Sequence, residues 1–215
     1  AVPDGYTLLS AGGTVWISPL IEDVPFSVQD FAPISMVTRS PYTLVVHASL
    51  PVKSVADLIA YAKARPGVLN YSSGSSAGSG SYLAGALFGV MADVNIVRVP
   101  YKEQARETAD VLSGQVHMTF GSGGSWDPQI KAGKLRALAT AGTRRSLLYP
   151  DLPTVADVLP GFVSEQLLGL WAPAKTPDAI VRRLNQDTSR LLDKPEVRER
   201  LLQIGQEPVG GTPEQ

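Results

Sequence analysis

A chain of 215 residues suits one large domain or two small ones and can bury a sizeable core. With 19 basic against 20 acidic residues, a net charge of −1 and 18% charged residues overall, it has no strongly basic character, which argues against nucleic acid or a charged membrane surface as partner. The absence of cysteine removes disulfides, thiolate metal sites and thiol nucleophiles, and no apolar run approaches the ~20 residues that span a bilayer.

The first predicted strand is YTLLSA (6–11), with GGT directly behind it. YTLVVHA (42–48) reads as a strand bounded by Pro41 and Pro51. In SVADLIAYAKARPG a helix begins at Ser54, with Asp57 completing a capping box, and Val55, Leu58, Ile59 and Ala62 forming an apolar face. Strand VLNYS precedes a run of small residues that leads into a helix over 81–91. NIVRVPY is a strand, and EQARETADVLSG a helix closed by Gly114. Strand QVHMTF is followed by GSGGSW and a short helix capped by Asp127, then strand KLRALATAG and a short capped helix TVADVLP. QLLGLWAP (166–173) is the last predicted strand. Thr176 and Pro177 open a helix with Ile180, Leu184 and Leu191 as its buried stripe, and Pro195 opens another with Val197, Leu201 and Ile204 on one face. Alternating strands and helices predict an α/β fold with mainly parallel sheets and flanking helices.

The segment LNYSSGSSAGSGSYLAGALF (69–88) carries the main functional signal. It joins a strand to a helix, which puts its Ser/Gly loop at the carboxyl end of a sheet, where open α/β sheets bind ligands. Unpaired N–H groups at a helix start, with serine hydroxyls beside them, suit a small anion. The Walker pattern is absent because the segment has no lysine, and the dinucleotide pattern fails because Leu83 stands where a third glycine belongs. A flexible connector is the alternative reading. Two further strand-to-small-residue junctions, AGGTVW (11–16) and GSGGSW (121–126), weigh against it and suggest a crevice walled by backbone amides.

Catalytic residues are scarce. His47 and His117 both fall in predicted strands, no Gly-x-Ser-x-Gly elbow is followed by a suitable histidine, and no metal-ligand spacing occurs. Arg144 and Arg145 read as surface charge. The chain is therefore expected not to be an enzyme and to need no cofactor or metal.

Ordered phrases along nearly the whole chain resemble the Bug family, the extracytoplasmic solute receptors of tripartite tricarboxylate transporters. They are PDGYTLL (3–9), DFAPI (30–34), LPVKSVADLIAYAKARPGVLNY (50–71), SYLAGALF (81–88), VPYK (99–102), LSGQV (112–116), IKAGKLRALAT (130–140), PDLPTVAD (150–157), GLWAPAKTP (169–177) and GGTPEQ (210–215). The resemblance implies a two-lobed, type II periplasmic-binding-protein fold that closes on a small carboxylate. One lobe would comprise residues 1–42 with 170–215, incomplete, and the other residues 43–169. Mapped onto this sequence, Ser76, Gly78, Ser79, Gly80 and Ser81 fall in the second-lobe carboxylate loop and Gly12, Gly13 and Thr14 in a first-lobe loop; Gly121 and Ser122 belong to the companion loop. The implied partners are a small-molecule carboxylate and membrane transporter subunits in the periplasm, with a sensor protein as an alternative partner and a Ser-dependent hydrolase as the remaining alternative.

The chain also departs from the family pattern. It begins at what would be the second strand and stops before a terminal helix, so it reads as a fragment, or a form cut at both ends, carrying half the expected carboxylate site. Tyr82 stands where histidine is common, the Ser/Gly loop is about one residue longer than usual, and Glu103 replaces a usual glycine. Gly121 replaces a frequent aspartate, which favours simple mono- or dicarboxylates over amino acids.

Overall fold

The computed structural model describes residues 1–76, 78–122 and 124–213, and within them the chain forms two compact units, Pro41–Glu165 and Ala1–Ser40 with Gln166–Gln215. Among the described residues, strands and helices alternate, which makes the fold α/β.

The unit formed by the middle of the chain contains the C-terminal part of β2 (Phe31–His47), α2 (Val55–Ala64), β3 (Asn70–Gly74), α3 (Gly80–Ala92), β4 (Val97–Tyr101), α4 (Gln104–Ser113), β5 (Met118–Ser122), α5 (Asp127–Lys131) and β6 (Leu135–Thr140). Strand β3 is central, parallel to β4 on one side and to β5 on the other. Helical crossovers require this parallel arrangement. Strand β2 pairs antiparallel with β5 and also with β6, so β5 and β6 run in the same direction with β2 reversed between them. Alternation of elements therefore gives the direction of β3 to β6 correctly. The expectation of mainly parallel sheets is corrected by β2, whose insertion makes two of the unit's ladders antiparallel. The core lies where α2 and α3 cover the sheet: Phe88, Phe120 and Phe162 form a mutual cluster with centroids 6.0–6.3 Å apart, packed with Leu44, Leu58 and Met118.

The other unit contains β1 (Leu9–Gly12), α1 (Thr14–Ile21), the N-terminal part of β2, β7 (Glu165–Pro173), α6 (Asp178–Leu192), α7 (Pro195–Gln203) and β8 (Glu207–Pro208). Strand β1 pairs antiparallel with β7, β7 neighbours β2, and β8 pairs antiparallel with β2. Its core is small, built on Ile34, Ala172 and Val181.

Several local expectations are corrected. Strand β2 is much longer than predicted and runs straight through Pro41. Its pairing with β8 ends at Arg39 and its pairing with β5 begins at Tyr42, so Pro41 lies between those ladders, where a missing N–H costs little. The α2 cap is offset by one residue: Ser54 Oγ accepts from the Asp57 N–H at 3.1 Å, while the Asp57 carboxylate accepts from Lys53 N–H at 3.0 Å. On α6 the buried residues are Val181 and Leu192, with Leu191 turned to solvent, and Pro177 rather than Thr176 precedes the first turn. On α7, Ile204 is exposed rather than buried. Helix α1 was not expected at all; it starts from Gly13 without a side-chain cap and carries an internal proline, Pro19.

Candidate functional site

The Ser/Gly loop leaves β3 at Gly74 and enters α3 at Gly80, as the strand–loop–helix reading expects. Ser79 is the N-cap residue, in extended conformation, and its side chain makes no capping hydrogen bond. Its carbonyl accepts from Leu83 N–H at 3.1 Å, the first bond of the helix, so helical geometry leaves the Gly80, Ser81 and Tyr82 amides with no acceptor within the helix. The helix is 13 residues long, enough to place a partial positive charge at this end.

The serines divide between two tasks. Ser76 Oγ accepts from Gly78 N–H at 3.0 Å, and Ser81 Oγ reaches back to accept from Gly74 N–H at 3.2 Å. Both hydroxyls therefore shape the loop. Ser79 Oγ makes a long contact, 3.5 Å, to the Gly74 carbonyl. Gly78 is buried, whereas Ser76, Ser79, Gly80 and Ser81 keep partial solvent exposure.

Two residues that sequence reasoning did not single out organise this loop. From β4, Arg98 donates through Nε to Ser73 Oγ at 2.8 Å, and through one terminal nitrogen to the carbonyls of Gly74, Ser75 and Ser76 at 2.9, 3.0 and 3.3 Å. Its guanidinium lies 4.2 Å from the centroid of the Tyr82 ring. In a trans peptide the N–H points opposite to the C=O preceding it, and the described residues contain no cis bond. With the Gly74 and Ser75 carbonyls turned toward Arg98, the Ser75 and Ser76 amides point away from it. The second residue is Tyr42 of β2. Its backbone pairs with Ser122, its ring lies against Gly80, and a Cβ at position 80 would stand 2.7 Å from its Cζ. Burial pushes its phenol upward, which keeps it neutral. Tyr42 thus links the start of α3 to the end of β5. Only a charged residue among the apolar residues of NIVRVPY hinted at Arg98, and nothing in the sequence hinted at Tyr42.

The companion loop is built differently from the expectation. Gly121 and Ser122 are the last residues of β5 rather than loop residues, and Trp126, buried, covers Gly121 so closely that a Cβ there would overlap the indole. Glycine at 121 is thus a packing requirement. Gly123, within the predicted GSGGSW loop, lies outside the described residues. Trp126, not Asp127, occupies the N-cap position of α5; the Asp127 carboxylate instead accepts from the Tyr149 hydroxyl and pairs with Lys131 at 3.3 Å. Because β3 and β5 are parallel, the loops that follow them emerge at the same edge of this sheet.

In the other unit, Gly12 ends β1 opposite Leu168, where a Cβ would stand 2.7 Å from the Leu167 carbonyl. Gly13 precedes α1 and its carbonyl accepts from Ile17 N–H at 2.8 Å, while Thr14 is the first helical residue. Trp16 and Trp171 follow nearby with ring centroids 5.6 Å apart. A recess of about 620 Å³ also belongs to this unit; its lining includes Leu9, Val15, Phe26 and Phe31, with Asp30 a carboxylate that repels an anion. It is a poor match for a carboxylate, unlike the loop beside Arg98.

The histidines lie far from that loop. His47 ends β2 and His117 precedes β5, both at the sheet edge opposite to Ser79 and Ser122. His117 Nδ1 is 2.6 Å from Asn70 Oδ1 and 3.3 Å from the Asn70 backbone nitrogen, so this ring nitrogen is engaged with Asn70. No histidine therefore stands beside a loop serine to activate it. Among the described residues no group of three or more His, Asp or Glu could hold a metal, and no helix is long and apolar enough to cross a membrane.

The whole chain, residues 1–215, matches the family model described as tripartite tricarboxylate transporter family receptor. The chain belongs to that family. This chain is 35% identical to the solved R. palustris Rpa4515 with adipate, which it matches with a TM-score of 0.91 over 100% of this chain and 73% of that one. It is 30% identical to MatC (Rpa3494) from Rhodopseudomonas palustris with bound malate, with a TM-score of 0.84 over 96% and 71% of the two chains. Against the protein BugT of Bordetella pertussis it is 33% identical over 217 residues, covering 99% of this chain and 66% of BugT. The Bug-family resemblance and the periplasmic-binding-protein fold are thereby established, and the family consists of solute-binding receptors rather than enzymes. The chain spans 65%, 63% and 63% of the lengths of three further curated relatives, so less than two thirds of each.

Proposed function

We propose that this chain binds a small organic carboxylate as part of a periplasmic solute receptor that serves the membrane subunits of a tripartite tricarboxylate-type transporter. The observation that carries the reading is the 74–82 loop. Its carbonyls turn inward to Arg98, the uncapped start of α3 offers donors and partial positive charge, and no histidine stands beside it among the described residues. Solved relatives with adipate and with malate support a dicarboxylate. Ser79, Gly80 and Ser81 would meet one carboxylate, with Ser76 and Gly78 holding the loop in shape behind them. Gly12, Gly13 and Thr14 are assigned to the other lobe's share of the ligand, and Gly121 and Ser122 to the wall beside Tyr42. The compact units Ala1–Ser40 with Gln166–Gln215 and Pro41–Glu165 would be the two lobes, closing on the ligand by a hinge motion.

Calorimetric titration of the protein with adipate, malate and other short mono- and dicarboxylates tests this reading. At least one acid is expected to bind, and Ser79→Asp is expected to abolish that binding by placing a like charge at the helix start. A folded protein that gives no heat with any acid of the panel would sink the proposal, and a Ser79→Asp variant of unchanged affinity would move the site elsewhere.

A further inference from the structure

We infer that Arg98 is the positioning residue of the anion loop. It fixes the loop backbone so that the carbonyls of residues 74–76 face the guanidinium and the donors face the ligand, and this role rests on the carboxylate reading above. The geometry is specific. One guanidinium reaches four acceptors in sequence, the Ser73 hydroxyl and the Gly74, Ser75 and Ser76 carbonyls, all between 2.8 and 3.3 Å. The same group rests on the ring of Tyr82, third residue of α3, so one side chain ties β4, the loop and the first helical turn together. Three successive carbonyls gathered on one side would repel one another without a cation between them. Removing that cation lets these peptide planes rotate and shifts the first turn of α3, whose amides are the donors, away from the ligand side. Arg98 also contributes positive charge behind the loop without touching the ligand, which lowers the cost of seating an anion in front.

A planar fork with several donors performs this task, and a lysine does not. An ammonium is a point charge that keeps the sign but cannot hold three carbonyls and a hydroxyl while resting over the tyrosine ring. The conservative substitution therefore separates charge from geometry.

The experiment uses the whole chain with adipate as probe, comparing wild type, Arg98→Met and Arg98→Lys by calorimetry and by amide hydrogen exchange without ligand. Arg98→Met is expected to weaken adipate binding by about 10- to 100-fold, the range for hydrogen bonds to a charged group. It should also speed exchange at the Gly74, Gly78, Ser79 and Leu83 amides by about tenfold or more, leaving amides of α2 at their wild-type rates. Arg98→Lys should keep the wild-type thermal midpoint but recover only part of the affinity, a split that a merely structural role would not produce. Adipate affinity within twofold of wild type in Arg98→Met, wild-type exchange at the loop amides, or full recovery by lysine each overturns the assignment. If Arg98→Met fails to fold, Arg98→Lys decides alone, by weakened binding at an unchanged midpoint or by its absence. Should the wild type bind no acid of the carboxylate panel, the carboxylate reading falls, while the exchange comparison still decides whether Arg98 holds the loop.

Discussion

Glycine at position 80 is dictated by a neighbour from another strand. A Cβ there would come within 2.7 Å of Tyr42 Cζ and 2.8 Å of Cε2, closer than real Cβ contacts allow, and both partners are held, one at a helix start and one in a buried strand. Gly80→Ala must push the ring or the first turn of α3. The expected cost is about 1–3 kcal/mol of stability, as for other overpacked sites, with weakened adipate binding because the Gly80 amide shifts. Tyr42→Leu, itself destabilising, removes the clash. A double-mutant cycle by denaturant unfolding should therefore show a favourable coupling of about 1 kcal/mol or more between the two positions. Additive effects would mean that the tyrosine is not what excludes a side chain at 80. Sequence alone marks position 80 as one glycine among many in a small-residue loop. Its partner lies 38 positions away, and no local pattern encodes that contact.

At the scale of elements, legibility followed local chemistry. Helix α2 was readable because Ser54, the apolar spacing and Pro66-Gly67 mark its start, face and stop within one window. Helix α1 was not, because Gly13 offers no capping side chain and Pro19 interrupts the pattern. Strand β2 exceeds its predicted bounds because a proline usually ends a ladder, whereas here the chain exchanges partners around it. The anion loop was legible from its junction of strand and helix, but its organiser was not, since Arg98 acts across β3 from the neighbouring strand. The starts of β3 and β5 carry a separate pH dependence. His117 is hydrogen bonded to Asn70, and burial, with a smaller contribution from His47, holds its imidazole below the ordinary value of about 6.5. The unfolded chain takes up the proton first, so stability is fully present above about pH 6.5 and is lost as pH falls toward the depressed folded value. Thermal midpoints measured from pH 8 to pH 5 should decline on the acid side of 6.5, and His117→Gln should flatten that decline. An equal decline in the variant would assign the effect to other groups.

Across the whole molecule, β2 is the informative strand because its two parts serve different units. Leu44, Val45 and Val46 are completely buried and lie between β5 and β6, against the aromatic cluster of Phe88, Phe120 and Phe162 and the residues around Trp126. The segment before Pro41 has Ile34 as its one fully buried apolar residue, in a core built with Ala172 and Val181, and among the described residues the sheet it belongs to runs out to β1, whose Leu9 is exposed. Local opening requires exposing the apolar surface packed on a segment, so the two parts of one strand should open at different free energies. Native-state hydrogen exchange at low denaturant reads this directly. Amides of residues 44–46 are expected to exchange only with global unfolding and with a steep denaturant dependence. Amides of residues 34–39 should exchange at least an order of magnitude faster and with a shallower dependence. Ligand binding that engages both units should slow the faster set more than the slower one, since it adds contacts where few exist. If both parts of β2 exchange together, with one rate and one dependence, the units unfold as a single cooperative block and the small core around Ile34 is more strongly supported than its buried residues indicate.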